Sequence, residues 1–304
     1  MEKVSALSGS FRFNNLFPTF AKKKASLMTR LMPGWTNNKI DSLLFVPKTR
    51  DNKPIRLPRG FTEADIKTND GMIKSYRTGK GPTVVFVHGW GGSAQQFFPL
   101  MRGLAQCGFS SVAFDHLGHG QSEIKPATLH QSIKTNNHIL EMVKKSSDGL
   151  CAIVGHSTGC ITIAAARNAL VRDTPLFLIS PVFNYKLYFL KKLVKLKLHA
   201  DLVKQYANRF AKSYRSEYRK LELARNLDKY GDFTVIAHDE SDSEASFSDS
   251  ERFCAKYPLT RLLMTRNTDH VRIINSETVW QELKSHLNYD DTTINFTAEI
   301  VYQQ

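Results

Sequence analysis

At 304 residues and 41% hydrophobic content, the chain is long enough to bury a large core, and it carries 42 Lys and Arg against 28 Asp and Glu. The resulting net charge of +14 invites nucleic acid, yet the sequence has no recognition motif and no basic ribbon interleaved with aromatics, so nucleic-acid binding is not expected. Cys107, Cys151, Cys160 and Cys254 form no C-x-x-C pair and read as buried thiols; without an apolar run of about 18 residues or a leader pattern, a cytoplasmic protein is expected.

Residues 1–60 hold 12 Lys and Arg against 3 acidic residues, with prolines at Pro18, Pro33, Pro47, Pro54 and Pro58. They read as an N-terminal extension packed on the core. Residues 61–80 read as an antiparallel hairpin turning at Asn69-Asp70-Gly71. Apolar runs then alternate with helical patterns: strands near 83–87, 111–115, 150–154 and 175–180, helices near 94–106, 130–146 and 158–171. Runs that are apolar throughout suit parallel strands buried on both faces, and the alternation predicts an α/β fold with a mostly parallel sheet flanked by helices. Residues 182–232 break this rhythm with a Lys-, Arg-, Leu- and Tyr-rich helical stretch. Strands near 233–237 and 260–265 and helices near 246–256 and 274–287 resume it. The expected core is therefore 61–181 and 233–304, with a helical insertion at 182–232.

Between the strand at 150–154 and the following helix lies Gly155-His156-Ser157-Thr158-Gly159, a G-x-S-x-G. A serine at a sharp strand-to-helix turn stands above the sheet, and the helix start aims backbone N–H groups at whatever it attacks. Two earlier strands run into Gly-rich loops, His88-Gly89-Trp90-Gly91-Gly92 and Asp115-His116-Leu117-Gly118-His119-Gly120-Gln121-Ser122. Two later strands end in His238-Asp239-Glu240-Ser241-Asp242 and in Asp269-His270. With serine, acid and histidine each just past a strand end, the chain resembles the α/β-hydrolase superfamily, in its serine-hydrolase (esterase/lipase-like) branch, over about residues 70–288.

The resemblance implies Ser157 as nucleophile, His270 as base and an acid in the 239–244 loop, where Asp242 is favoured and Asp239 is second. Backbone N–H groups of Trp90 and Thr158 would form the oxyanion hole, with the Trp90 indole on the pocket wall. Similar sequences usually place glycine before the histidine; here Asp269 stands there, and its charge is expected to raise the basicity of His270. His88, His116, His119 and His156 read as loop-holding side chains, and the Asp115–Ser122 loop as structural. The implied reaction is carboxylic ester hydrolysis through an acyl-enzyme. A thioesterase, a lipase, a carbon–carbon bond hydrolase or a non-catalytic ligand-binding member are the alternatives. Dehalogenases and epoxide hydrolases of this fold use aspartate as nucleophile, so Ser157 argues against both. No metal or other cofactor is expected, since no cluster has ligand spacing.

The insertion falls where this superfamily usually places its lid. On a helix over 187–198, Leu187, Leu190, Val194 and Leu198 share one side and are expected to face the substrate pocket, with Lys191, Lys192 and Lys195 toward water. That basic face also suits weak contact with an anionic membrane surface. The expected partner is a small-molecule ester.

Overall fold

The computed structural model describes residues 55–166, 173–195, 200–216, 218–227, 234–287 and 300–301. Most of the N-terminal extension, and Leu198, therefore lie outside the described residues; of the extension, Ile55 and Leu57 pack against the core. In chain order the elements are β1 (Thr62–Lys67), β2 (Met72–Thr78), β3 (Thr83–Val87), a 3-10 turn (Ala94–Phe97) leading into α1 (Phe98–Gln106), β4 (Ser110–Phe114), α2 (Leu129–Lys144), β5 (Leu150–His156), α3 (Thr158–Ala166) and β6 (Leu176–Ile179). Then come α4 (Tyr185–Lys195), α5 (Ala200–Ser216), α6 (Leu223–Leu227), β7 (Thr234–Asp239), α7 (Phe247–Lys256), β8 (Thr260–Thr265), α8 (Asp269–Arg272), α9 (Glu277–Leu287) and the short β9 (Ile300–Val301).

The strands form one sheet in the order β1-β2-β4-β3-β5-β6-β7-β8-β9. β1 and β2 pair antiparallel, as do β2 and β4; the pairs from β4 onward are parallel. β3, β4, β6 and β7 are buried along their whole length, which explains their lack of apolar–polar alternation. Successive residues divide between two faces. Val85, Val87, Ile153 and Leu178 join one core cluster, whereas Val84, Phe86, Val154 and Phe177 join the other. Each such side chain contributes roughly 1.5–3 kcal/mol through burial. α2 starts on a capping box, in which the Thr128 hydroxyl accepts the Gln131 N–H and the Gln131 side chain accepts the Thr128 N–H.

The strand order reverses direction at β3, since the chain goes from β3 outward to β4 and then back across to β5. Open parallel sheets hold their ligands at such a switch point, outside the carboxyl ends of the strands. The loops after β3 and β5 leave adjacent strands there, and those after β7 and β8 leave a second adjacent pair. Among the described residues no helix is long and apolar enough to cross a membrane. Cys160 and Cys254 are buried, but Cys107 is exposed. It ends α1 at the turn into Gly108, and this corrects the expectation of four buried thiols.

Candidate active site

β5 passes into α3 through Ser157, whose φ of 56° lies in the left-handed region that non-glycine residues avoid. Neighbouring chain presses on this turn. A Cβ on Gly159 would stand 2.5 Å from the Val87 carbonyl oxygen, and one on Gly89 would stand 2.7 Å from Ser157 Cβ. Glycine at both positions is what lets the β3 loop and the start of α3 close around the serine.

Ser157 Oγ lies 2.9 Å from His270 Nε2, and His270 Nδ1 lies 2.7 Å from Asp242 Oδ2. The carboxylate can only accept, so Nδ1 carries the proton and Nε2 accepts the Ser157 hydroxyl. This is the geometry of a hydroxyl with its base, and of the base with its orienting acid. Asp242 Oδ1 accepts the N–H groups of Glu244 and Ala245 at 2.8 and 3.0 Å, and Oδ2 also accepts from His238 at 3.2 Å. Burial acts to raise the Asp242 pKa, but the hydrogen bonds from His238 and His270 outweigh it and hold the carboxyl well below the usual range. Asp239 turns elsewhere. Its oxygens accept from Ser241, Thr265 and Thr268, which ties β7 to β8 and leaves it away from the imidazole.

His270 sits on the short α8 and not in an open loop. Asp269 adopts φ 59°, the conformation that suits the glycine usual at this position. Its carboxylate accepts the Val271 and Arg272 N–H groups, both at 2.9 Å, and pairs with Arg272 Nε at 2.8 Å. The charge expected to act on His270 is thus engaged at the start of α8 instead. His156 supports the base from behind, its Nε2–H donating to the His270 carbonyl oxygen at 2.8 Å.

Trp90 and Thr158, the two expected oxyanion donors, stand side by side. The Trp90 N–H already donates to Thr158 Oγ1 at 2.8 Å. His88 holds the loop beneath, its Nδ1–H donating to the Gly89 carbonyl oxygen at 2.8 Å while Nε2 accepts the His116 N–H at 3.0 Å. Asp115 accepts the N–H groups of Ala94 and Gln121 at 2.7 and 2.8 Å, a structural use of the second Gly-rich loop. Among the described residues no group of three or more His, Cys, Asp and Glu is placed to hold a metal.

Burial pushes His88 down to about 4, and His119 and His156 to about 3. These rings stay neutral in the fold while the unfolded chain takes up protons below about pH 6.5. Their contribution is therefore complete above that pH and is lost as pH falls toward 4 for His88 and toward 3 for His119 and His156, by about 1.4 kcal/mol per pH unit for each ring. Denaturant titrations at pH 7.5 and 5.0 are expected to show a loss of at least about 3 kcal/mol. Equal stability at the two values would contradict the buried, neutral assignment.

The insertion departs from expectation in its rotation. Leu187 and Val194 are 45% and 37% exposed, whereas α4 buries Tyr188, Phe189 and Leu193; Leu190 is half-buried. Phe189 stacks on Phe210 of α5 at 3.9 Å, and these two helices share a small core with Leu193, Leu202, Val203 and Tyr206. The inward stripe is set by α5, a partner that the pattern of α4 alone does not reveal. Tyr188, absent from the sequence-based candidates, joins the main core, and its hydroxyl lies close enough to the Ser157 side chain to feel it electrostatically. Lys192 and Lys195 are also not simply solvated, since both pair with Glu244, Lys192 at 3.1 Å. Ser157 and His270 end up 3% and 9% exposed.

A mostly parallel sheet carrying this site at the ends of β3, β5, β7 and β8 defines an α/β-hydrolase. The chain belongs to the serine aminopeptidase, S33 family, whose model matches residues 80–267. A curated protein of Caballeronia sordidicola named epoxide hydrolase is 28% identical over 101 residues, which is 33% of this chain and 31% of that protein. The chain thus aligns with under a third of that relative's length. Among solved structures, the Pyrococcus furiosus esterase Pf2001 superposes with a TM-score of 0.60 at 16% identity, over 80% of this chain and 96% of that one. Est1E from Butyrivibrio proteoclasticus with ferulic acid bound gives 0.55 at 16% identity, over 74% and 99%. At these identities the likeness speaks for the fold.

Proposed function

We propose that this hydrolase cleaves carboxylic esters through an acyl-enzyme on Ser157. The observation that carries the reading is the unbroken chain of hydrogen bonds from Ser157 through His270 to Asp242, at 2.9 and 2.7 Å. Ser157 Oγ attacks the carbonyl carbon as His270 Nε2 takes its proton, and the oxyanion forms against the Trp90 and Thr158 N–H groups. Collapse breaks the ester bond and returns the proton to the departing alcohol. Water then repeats the cycle on the acyl-enzyme and releases the acid. Asp242 stabilises the imidazolium throughout. A serine beside its imidazole base suits acyl transfer better than epoxide opening, and the esterase names of the structural neighbours agree.

In this reading residues 182–232 act as a lid, and Tyr188, in place of Leu187, Leu190 and Val194, limits the acyl group beside Ser157. The exposed side of α4 is where weak contact with anionic lipid would fall.

A fluorophosphonate probe is expected to label the wild type and not Ser157→Ala, and p-nitrophenyl esters of rising acyl length should be cleaved faster than aminoacyl p-nitroanilides. Absence of labelling would sink the serine mechanism, and anilides as the better substrates would make the enzyme a peptidase. Tyr188→Ala should lengthen the preferred acyl chain while acetate remains a substrate; an unchanged chain-length profile would remove Tyr188 from the pocket. Asp269→Gly should leave the acid limb of kcat/KM in place, because the Asp269 carboxylate is held by Val271 and Arg272. A limb displaced downward would restore a direct charge effect on His270.

A further inference from the structure

We propose that His238 is a positioning residue for the same reaction, a second imidazole on Asp242 that fixes the acid's orientation and shares its charge with His270. The inference rests on the triad reading above. His238 lies on β7 and is fully buried. Its Nε2 is 3.2 Å from Asp242 Oδ2, the same oxygen that His270 Nδ1 reaches at 2.7 Å, and its Nδ1 is 2.7 Å from Ser250 Oγ on α7.

The hydrogen positions follow from chemistry. A carboxylate only accepts, so Nε2 carries the proton; Nδ1 then holds a lone pair and accepts the Ser250 hydroxyl. Ser250 is itself fully buried, and the Phe247 ring lies edge-on to His238 at 5.7 Å. Two Ser–His arms therefore meet on one carboxylate, one from Ser157 through His270 and one from Ser250 through His238. With the Glu244 and Ala245 N–H groups on Oδ1, Asp242 receives four donors, which leaves it no freedom to rotate away from His270. The other titratable groups bearing on this unit are His156 against the His270 ring, Tyr188, the neighbouring Asp239, and Glu244 with Lys192 and Lys195.

Removing the His238 donor has two consequences of different kind. The carboxylate loses one of its four anchors, which slows turnover. Its charge is also no longer divided between two rings, so the His270 imidazolium is better stabilised and the acid limb of the pH profile moves up.

The test compares wild type, His238→Leu and His238→Gln, with rates expressed per fluorophosphonate-titrated site. His238→Leu is expected to lower kcat about tenfold with KM within about twofold, and to raise the acid limb of kcat/KM by about half a pH unit. His238→Gln, whose amide N–H can reach the same oxygen, should recover both. A merely structural role would reduce the titratable fraction and Tm and leave the limb of the surviving sites unmoved; that outcome overturns the proposal, as does a Gln variant no better than Leu. If His238→Leu does not fold, Ser250→Ala, which frees Nδ1, should move the limb in the same direction by less, and an unmoved limb there overturns the proposal equally. A wild type that the probe does not label would instead overturn the triad reading itself.

Discussion

Replacing Ser157 by alanine is expected to lower kcat on p-nitrophenyl acetate by about 10³-fold or more. In the proposed mechanism Ser157 Oγ is the atom that takes the acyl group, and alanine has no such atom. The fold should survive. The change leaves His270 Nε2 without that partner, which costs about 1–3 kcal/mol, and leaves the strained turn and its glycine neighbours as they are. Activity above a tenth of wild type, with Tm within several degrees, would show that Ser157 is not the nucleophile.

Asp242→Asn is expected to be comparably severe, with a fall in kcat approaching the roughly 10⁴-fold recorded for the equivalent change in the serine-protease triad. The geometry gives a reason beyond lost charge. All four partners of Asp242 are donors, two backbone N–H groups on one oxygen and two imidazole N–H groups on the other. An amide must turn its NH₂ toward one of these pairs, displacing the backbone loop or driving His270 into the tautomer that cannot accept from Ser157. Asp239→Asn should act differently. Two of its partners are the Thr265 and Thr268 hydroxyls, which can rotate to offer a lone pair, so the cost falls on stability at about 1–3 kcal/mol. Paired measurements of kcat per active site and Tm separate the two. If Asp239→Asn proves the more damaging to turnover, the acid has been placed three residues too far along the loop.

Ser157 was legible because its neighbours constrain it on both sides: an all-apolar strand before, a helix after, and glycines at 155 and 159, the latter pressed against the Val87 and His88 carbonyl oxygens. The strands were legible for a related reason, since runs such as Thr83–Val87 have no face left for water. Asp242 was harder. Four carboxylates crowd residues 239–244, and choosing among them from sequence leaned on resemblance; the choice depends on the turn that Asp239 makes toward Thr265 and Thr268. His238 gave no signal of its own, because a buried histidine on a strand looks the same whether it binds a serine or bears on an acid. The insertion misled in a specific way. α4 carries apolar side chains on two faces, Leu187 and Val194 on one and Tyr188, Phe189 and Leu193 on the other. The apolar side chains of α5, Phe210 among them, are brought in by tertiary packing and decide which face turns inward.

The bond between the Trp90 N–H and Thr158 Oγ1 has a bearing on selectivity between neutral and charged oxygen. If the substrate is an ester as proposed, its carbonyl arriving at Trp90 must displace a hydroxyl of similar strength as an acceptor, so the exchange contributes little to holding the intact ester. Once the carbonyl oxygen takes on negative charge, it becomes about twice as strong an acceptor as a neutral hydroxyl, and the exchange becomes favourable. In the proposed mechanism Thr158 acts as an internal competitor, a reference acceptor against which the reacting oxygen is weighed. The proposed reaction would then find the donor withheld from the resting ester and yielded to the tetrahedral alkoxide, so that its contribution falls on the barrier and not on the affinity.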